Sequence, residues 1–231
     1  MSNQLLEILF EDNHLLAVNK KAGTIVQEDE TGDISLEQLV KKYLKDKYQK
    51  QGDAFIGVIH RIDRPVSGLV LFAKTSKALT RMNEIFRNGE VVKTYRAIVQ
   101  NAPLPEKDKL IHYISRNTKT NKSYAHNTEV KDSKRAVLSY ELIQKSDKYF
   151  LLEINLETGR HHQIRCQLAA IGCPIKGDLK YGASRSNKDG GICLHSYKLR
   201  FMHPVKKEMI DITAPVPDDP LWKFFSNTAS K

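Results

Sequence analysis

Five residues, HRIDR from His60 to Arg64, place an aspartate between two arginines and directly before an apolar run. A cation beside a carboxylate favours the ionised form, which a nucleophile or a general base needs at neutral pH. The same arrangement also occurs as a structural ion pair beside a turn. The residues alone therefore make Asp63 a candidate catalytic residue and leave the structural interpretation open.

A second cluster, GRHHQIR from residue 159 to residue 165, combines two arginines with two adjacent histidines. His161 and His162 could bind a metal together with His195 or His203. Adjacent residues on a helix point apart, however, and no carboxylate stands at a suitable spacing from them. We therefore predict that the chain has no metal site.

Several nucleic-acid activities have strong sequence signatures that this chain lacks. It has no G-x-x-x-x-G-K-[ST] phosphate loop, no G-x-G-x-x-G segment, and no H-x-E followed by P-C-x-x-C. A metal-dependent nuclease would need clustered carboxylates, and Asp63 has no acidic neighbour within its segment. The sequence thus argues against these classes of enzyme.

The charge of the chain points to a polyanionic partner. Among its 231 residues, 37 are lysine or arginine and 27 are acidic, which gives a net charge of +10. A basic protein of this kind most simply binds nucleic acid. Its start lacks the features of a signal peptide, and no run approaches the roughly 18 apolar residues that span a bilayer. We expect a soluble, cytoplasmic protein that does not bind a membrane.

The three cysteines indicate a reduced protein. Cys166, Cys173 and Cys193 are odd in number and form no C-x-x-C pair. This count argues against a disulfide framework and against a zinc ribbon. We predict that they are small buried residues.

The elements before Asp63 can be predicted from periodicity and turn residues. The apolar runs Leu5–Phe10 and Leu15–Asn19 indicate a β-hairpin, and Lys20–Gly23 indicates a loop. The capping-box pattern at Ser35 predicts a helix that runs to about Lys50. The runs that flank HRIDR, Phe55–Ile59 and Gly68–Lys74, are typical of buried strands, so Asp63 is expected on a loop between them.

The elements after Asp63 follow the same logic. Helical spacing predicts a helix over Ser76–Asn88 with Gly89 at its end, followed by a strand over Val91–Gln100. Residues 114–135 are polar and basic, which predicts an exposed hairpin or flap that could grip RNA. Two further strands are predicted over Val137–Gln144 and Tyr149–Leu156. After them we predict a helix that begins near Arg160 or His161 and stops at Gly172.

Four ordered segments resemble the RluA-type family of RNA pseudouridine synthases. They are NKKAG (residues 19–23), HRIDRPVSGL (60–69), KTY (93–95) and LETGRHHQIR (156–165). The likeness continues through GD at 177–178, YG at 181–182 and TAP at 213–215, so it covers nearly the whole chain. The chain departs from the family pattern at Lys21, where proline is usual, and at Val66, where threonine is usual.

The resemblance implies an activity and a set of site residues. The activity is isomerisation of uridine in rRNA or tRNA to pseudouridine, with the target base flipped out and with no cofactor or metal. Asp63 would be catalytic, Tyr95 would stack on the base, and Arg165 would pair with Asp63. The implied substrate-binding residues are Lys20, His60, Arg61, Arg160 and Ile164. The rival interpretation is a non-catalytic RNA-binding protein, which would be free to lose Asp63 or Tyr95.

The resemblance also implies a fold. It is an α+β fold with a central mixed, mainly antiparallel β-sheet, flanking helices and a catalytic cleft. We expect one catalytic domain over residues 1–231, without a separate N-terminal RNA-binding domain. We also expect the protein to be a monomer.

Overall fold

The structure is a computed structural model that describes residues 6–49, 51–52 and 54–227. Within these ranges the chain forms eleven strands and four α-helices, which confirms the α+β class. The elements are β1 (Glu7–Glu11), β2 (Leu15–Lys20), α1 (Leu36–Lys47), β3 (Gly57–Val58), β4 (Ser67–Ala73), α2 (Ser76–Arg87), β5 (Val92–Val99), β6 (Lys107–Asn117), β7 (Lys122–His126), β8 (Lys134–Lys145), β9 (Phe150–Leu156), α3 (Gln163–Ala170), β10 (Leu194–Met202), β11 (Met209–Thr213) and α4 (Pro220–Asn227). A single 3₁₀ turn, Leu179–Tyr181, lies between α3 and β10. None of the helices in the described ranges is both long and apolar enough to cross a membrane.

The chain divides into two compact units, and each is built from two separate segments. The first unit joins the chain up to Val91 with Ser196–Pro217, and the second joins Val92–His195 with the chain from Asp218. Neither unit is therefore continuous in sequence. The expectation of one catalytic domain stays a prediction.

In the first unit, β2 pairs antiparallel with both β1 and β4. This confirms the predicted hairpin of β1 and β2, apart from Leu5, which lies outside the described residues. All seven residues of β4 are buried, as expected for a strand in the interior of a sheet. The register places Lys20 opposite Gly68. The loop that leaves β2 therefore lies beside the loop that enters β4 and carries Asp63.

The apolar core of the first unit fixes these strands. Side chains from β2 and β4 alternate into it, and α2 adds Ala78 and Met82. Burying each large apolar side chain contributes about 1.5–3 kcal/mol relative to leaving it exposed. The core therefore holds the β2 and β4 ends, and with them the two loops, in one register.

In the second unit, the strands follow the order β5-β9-β8-β6-β7, and all four pairings are antiparallel. Tyr95 lies within β5 opposite Ile154 of β9. The predicted hairpin within residues 114–135 is present as β6 and β7. The three cysteines are buried free thiols, as predicted.

Some predicted boundaries are confirmed and others are wrong. The capping box at Ser35 is present, with both reciprocal hydrogen bonds to Gln38, but α1 ends at Lys47; the predicted end at Lys50 lies outside the described residues. Helix α2 ends at Arg87, and Gly89 takes a φ of +75°, as a glycine at a helix end often does. The strand predicted over Phe55–Ile59 shrinks to Gly57–Val58, because only these two residues of the run pair in register with β4.

Candidate active site

Asp63 lies on the loop between β3 and β4, and its neighbours face in opposite directions. Ile62 is buried and anchors the loop, whereas Arg61 and Arg64 are exposed and Asp63 is half-buried. The carbonyl of Asp63 accepts the N–H of Val66 at 3.0 Å, which closes a turn. The loop thus presents a carboxylate at its surface while apolar burial holds its backbone.

The two arginines that flank Asp63 have different surroundings. Arg64 forms an ion pair with Asp33 at 2.7 Å, in which both side chains are about half exposed. An exposed ion pair of this kind contributes about 0–1 kcal/mol. Arg61 is exposed on the same loop, where it can reach a ligand that approaches Asp63.

Lys20 is not where a phosphate contact would place it. The resemblance implies that it binds substrate, but its side chain is 1 % exposed. Its ammonium donates to the carbonyls of Lys21, Thr24 and Arg64 at 3.1, 2.8 and 3.1 Å. The N–H of Gly23 also donates to the Arg64 carbonyl, at 2.8 Å. We therefore correct the substrate-binding assignment: Lys20 joins the loop after β2 to the loop that carries Asp63.

Burial changes the protonation of Lys20. Loss of solvent lowers its pKa to about 7, while the negative charge of Asp63 opposes this change and Arg64 adds to it. Lys20 therefore titrates near neutral pH. Its electrostatic coupling to Asp63 lies within the first unit.

The ring of His60 contacts the protein on both its edge and its face. Its Nε2 accepts the N–H of Leu71 at 3.1 Å, and its ring stacks on Phe86 with centroids 5.3 Å apart. These contacts attach the start of the loop to β4 and α2. His60 is half-buried, so its substrate-binding assignment stays a prediction beside this structural role.

The glycine of the HRIDRPVSGL segment, Gly68, has a steric explanation. Gly68 takes a φ of +110°, and a Cβ at this position would lie 2.3 Å from the carbonyl oxygen of Ser196. Only glycine lets β4 approach β10 this closely. The position directly after the Asp63 loop is thus fixed by backbone packing.

In the second unit, Tyr95 is 7 % exposed within β5. Lys93, two residues earlier on the same strand, is half-buried, and burial lowers its pKa. The strand therefore presents Tyr95 from a rigid, packed sheet rather than from a loop.

A hydrogen-bonded turn connects β9 to α3. Thr158 Oγ1 accepts the N–H of Val137 at 2.8 Å and lies 2.8 Å from Gln163 Oε1. Gln163 also accepts the N–H of Arg160 at 3.0 Å and donates to the Val137 carbonyl at 3.1 Å. These bonds give Thr158, Arg160 and Gln163 of the LETGRHHQIR segment a structural role, because they attach the turn to β8.

Helix α3 begins later than predicted. It starts at Gln163, because His162 takes a left-handed φ of +52° that interrupts the helix. His161 and His162 thus precede the helix, and their rings stack with centroids 3.7 Å apart instead of pointing apart. Among the described residues, no three histidine, cysteine, aspartate or glutamate side chains could together hold a metal ion.

Arg165 and Ile164 are both buried on α3, at 5 % exposure each. Arg165 donates from Nε and Nη2 to the two carboxylate oxygens of Asp178, at 2.7 and 2.8 Å. Asp178 is itself 1 % exposed. The sequence reasoning does not identify this partner, although Asp178 stands in the GD pair of the resemblance. A guanidinium has five N–H donors, so one carboxylate does not saturate it.

Basic side chains lie on the surface of the second unit. Arg160 is exposed, and its Nε donates to the carbonyl of Arg135 at 3.0 Å. The hairpin of β6 and β7 exposes Arg116, Lys119 and Tyr124, but Ser123 on the same hairpin is 1 % exposed. One side of the predicted flap is therefore packed against the unit, and the other side faces solvent.

Comparisons with known proteins place this α+β chain among the enzymes that modify RNA. The family model described as RNA pseudouridylate synthase matches residues 14–170, well over half of the chain. The chain belongs to this family, in its RluA-type branch, and it is an RNA pseudouridine synthase.

Individual relatives agree with the family. An uncharacterised RNA pseudouridine synthase of Bacillus subtilis is 33 % identical over 217 residues, which cover 93 % of this chain and 70 % of that protein. The tRNA pseudouridine synthase C of Haemophilus influenzae is 32 % identical over 241 residues, covering 96 % of this chain and 97 % of that protein. The ribosomal large subunit pseudouridine synthase D of Zymomonas mobilis is 33 % identical over 224 residues, which cover 93 % of this chain and 70 % of that protein.

A solved structure supports the fold independently. The human protein named RNA pseudouridylate synthase domain containing 4 matches with a TM-score of 0.78 at 22 % identity, covering 95 % of this chain and 92 % of that one. This likeness concerns the fold alone.

Proposed function

We propose that this enzyme isomerises specific uridines of rRNA, of tRNA or of both, and that Asp63 carries the reaction. The relatives named above include an enzyme for ribosomal RNA and one for tRNA, which supports these two RNA classes as targets. In this proposal Tyr95 stacks on the uracil, and Arg165 is the cation that holds Asp63 ionised. The proposal also holds that the enzyme is a monomer and that it binds its RNA in the cytoplasm.

One observation carries the assignment of Asp63: its loop is held on both sides while its carboxylate stays half-buried. Lys20 and Gly23 bind the Arg64 carbonyl, and Ile62 is buried. Catalysis requires a reacting group in a fixed orientation, because misplacement by about 1 Å can cost a hundredfold in rate. A loop that only carried a surface ion pair would not need these anchors.

The reaction is an isomerisation and needs no oxidant or reductant. The bond between the sugar and ring nitrogen one breaks, the uracil rotates, and ring carbon five bonds to the same sugar carbon. A proton leaves carbon five, and nitrogen one gains a proton. Asp63 could attack the sugar, add to the base, or help remove a sugar proton, and the proposal holds for each route because each requires the carboxylate.

The target base must leave its stack to reach such a site. Unstacking costs a few kcal/mol, which stacking on an aromatic side chain and apolar contacts offset in part. Tyr95 and Ile164 supply those surfaces in the proposal. Arg61, exposed beside Asp63, would occupy the space that the flipped base leaves or hold the RNA backbone.

The first test is Asp63→Asn, which removes a charge and changes little volume. We expect folding and RNA binding close to wild type, and a loss of pseudouridine formation of at least about 10³-fold, the scale of removing a group that works in the transition state. The measurement is pseudouridine formation in RNA taken from a strain that lacks the gene.

Asp211→Asn is the matched control, because Asp211 forms an exposed ion pair with Lys198 on the same unit. This control variant should keep full activity. Pseudouridine formation by Asp63→Asn at the wild-type rate would remove Asp63 from the proposed role. Wild-type protein that binds RNA but yields no pseudouridine on any RNA would instead favour a non-catalytic RNA-binding protein.

The target is found by mapping pseudouridine in rRNA and tRNA with and without the gene. We expect one or a few sites to disappear and to return with the wild-type gene but not with Asp63→Asn. Unchanged maps in both RNA classes would contradict the proposed targets, and restoration by the asparagine variant would contradict the role of Asp63.

A further inference from the structure

Asp178 and Tyr181 come from one short turn of the second unit. The N–H of Tyr181 donates to the Asp178 carbonyl at 3.0 Å, and Asp178 directly precedes the 3₁₀ turn Leu179–Tyr181. Gly177 starts this turn at a φ of +90°, where a Cβ would lie 2.8 Å from the Gly191 carbonyl oxygen. The turn is therefore held against its neighbours by backbone packing.

This turn holds the guanidinium of Arg165 from two directions. The Asp178 carboxylate binds its edge through two hydrogen bonds. The ring of Tyr181 lies under the group, with its centroid 5.0 Å from Cζ. A cation within about 6 Å of an aromatic face is attracted to it, and more strongly where water is excluded. Because Tyr181 and Arg165 are 7 % and 5 % exposed, this contact is largely dry.

The hydroxyl of Tyr181 fixes the ring in turn. It accepts the N–H of Ser123 at 2.8 Å and lies 2.9 Å from Nδ1 of His162. The hydroxyl oxygen therefore bridges the backbone of Ser123 and the imidazole of His162. Burial raises the pKa of Tyr181 to about 12, so the hydroxyl keeps its proton at physiological pH.

The three attachments of Tyr181 reach two elements, β7 and the start of α3. Ser123 belongs to β7, His162 is the left-handed residue before α3, and Arg165 lies on α3. A buried hydroxyl with two partners is worth more than a surface contact, because each partner that loses it becomes an unsatisfied buried polar group. The tyrosine thus connects the β6–β7 hairpin to the start of α3.

We propose that Tyr181 is a positioning residue that fixes the orientation of the Arg165 guanidinium, and that it works with Asp178. This inference rests on the proposed function in one respect, the assignment of Arg165 as the cation paired with Asp63. Tyr181 itself would not touch the uridine. Its effect on the reaction would pass entirely through Arg165.

The test variant is Tyr181→Phe, which keeps the ring and removes the hydroxyl. The matched control is Tyr140→Phe, because Tyr140 is a buried tyrosine of the same unit whose hydroxyl donates to the Pro105 carbonyl at 2.8 Å. For Tyr181→Phe we expect kcat to fall by roughly 10- to 100-fold, the effect of losing a group that orients a functional one, with KM for RNA unchanged. Tyr140→Phe should leave kcat and KM at the wild-type values.

A double-mutant cycle with Arg165→Lys separates positioning from general destabilisation. If Tyr181 acts through Arg165, adding Tyr181→Phe to Arg165→Lys should cost little further kcat, so the two effects are strongly non-additive. Additive effects, or a Tyr181→Phe variant with wild-type kcat, would overturn the proposal.

A measurement without activity keeps the inference separate from the proposed function. The Nε–H resonance of Arg165 in ¹⁵N NMR spectra reports the orientation and protection of the guanidinium. We expect a protected signal in the wild type and in Tyr140→Phe, and faster exchange or broadening in Tyr181→Phe. An unchanged Arg165 signal in Tyr181→Phe sinks the positioning role. A changed signal in an enzyme that makes no pseudouridine supports the positioning role and counts against the proposed function alone.

Discussion

The ammonium of Lys20 donates to three carbonyl groups, and one of them belongs to Arg64, the residue after Asp63. A protonated lysine has three N–H donors, so in that form these contacts use all of them. The side chain therefore acts as a fixed connection between two loops. Its positive charge also lies close enough to Asp63 to be coupled to it.

Lys20→Met tests this connection through the dependence of stability on pH. The pKa of Lys20 falls from 10.5 in the reference state to about 7 on folding. Between about pH 7 and 10.5 the unfolded chain binds a proton that the folded chain does not, so this group makes stability rise with pH. The free energy of unfolding of the wild type, minus that of Lys20→Met, should therefore increase from pH 7 to pH 10 in urea titrations.

The control is Lys42→Met, since Lys42 has 73 % of its side chain exposed on α1. This variant should be within about 0.5 kcal/mol of the wild type. At pH 7, Lys20→Met should cost about 1–3 kcal/mol, because buried carbonyls lose a donor. A wild-type stability in Lys20→Met, or a pH dependence that matches the wild type, would contradict the buried connection.

The residues of the candidate site differ in how far sequence could predict them. Asp63, Tyr95 and Arg165 stand in segments whose order and spacing resemble a known family. Lys20 stands in such a segment too, yet only the three-dimensional structure reveals its burial, because a lysine side chain can extend to solvent or fold inward. Asp178 and Tyr181 are far from Arg165 in the sequence, and no local pattern indicates that they hold it.

The elements were predictable where local chemistry determines them. The capping box of α1 depends on two residues three positions apart, and it is present as predicted. The start of α3 depends on the left-handed φ of His162, which the hydrogen bonds of Thr158, Gln163 and Tyr181 stabilise. These contacts come from tertiary structure, so periodicity placed the helix start too early.

Glu11 joins three elements of the first unit through one carboxylate. It accepts hydrogen bonds from Tyr43 and Lys47 of α1, from Tyr48 after α1, and from Lys74 after β4, at 2.6–2.9 Å. Burial alone would raise its pKa, but the bonds from the lysines and tyrosines lower the pKa to about 2. The carboxylate thus holds α1 against β1 and the end of β4.

At the scale of the elements, we predict that Glu11→Gln destabilises the fold. Because folding lowers the pKa from 4.5 to about 2, the stabilisation is complete above pH 4.5 and is lost as pH falls toward 2. We expect a loss of about 1.5–3 kcal/mol at pH 7, the scale of hydrogen bonds to a charged group. The difference from the wild type should shrink between pH 4.5 and pH 2 in thermal or urea unfolding.

Glu208→Gln is a suitable control, because Glu208 has 55 % of its side chain exposed in its ion pair with Lys206. Its replacement should change the free energy of unfolding by less than about 1 kcal/mol. A difference between wild type and Glu11→Gln that stays constant from pH 7 to pH 2 would show that the carboxylate charge does not hold these elements.

At the scale of the whole molecule, the net charge of +10 matters for RNA binding rather than for the fold. Contacts to phosphate release counterions, so each one steepens the salt dependence of binding and carries no sequence information. Exposed cations can make such contacts, whereas a buried one cannot. The structure therefore separates Arg160, which is exposed, from Lys20, which is buried.

Arg160→Ala tests this separation by binding to RNA at several salt concentrations. Loss of one phosphate contact should weaken binding and reduce the slope of log K against log salt by about 0.7–0.9. Arg160→Lys should keep most of the slope, because it keeps the charge while losing the bond to the Arg135 carbonyl. Lys20→Met, compared under conditions where it is folded, should leave the slope unchanged. A wild-type slope in Arg160→Ala would exclude a phosphate contact at Arg160, and a shallower slope in Lys20→Met would mean that the buried ammonium reaches the RNA after all.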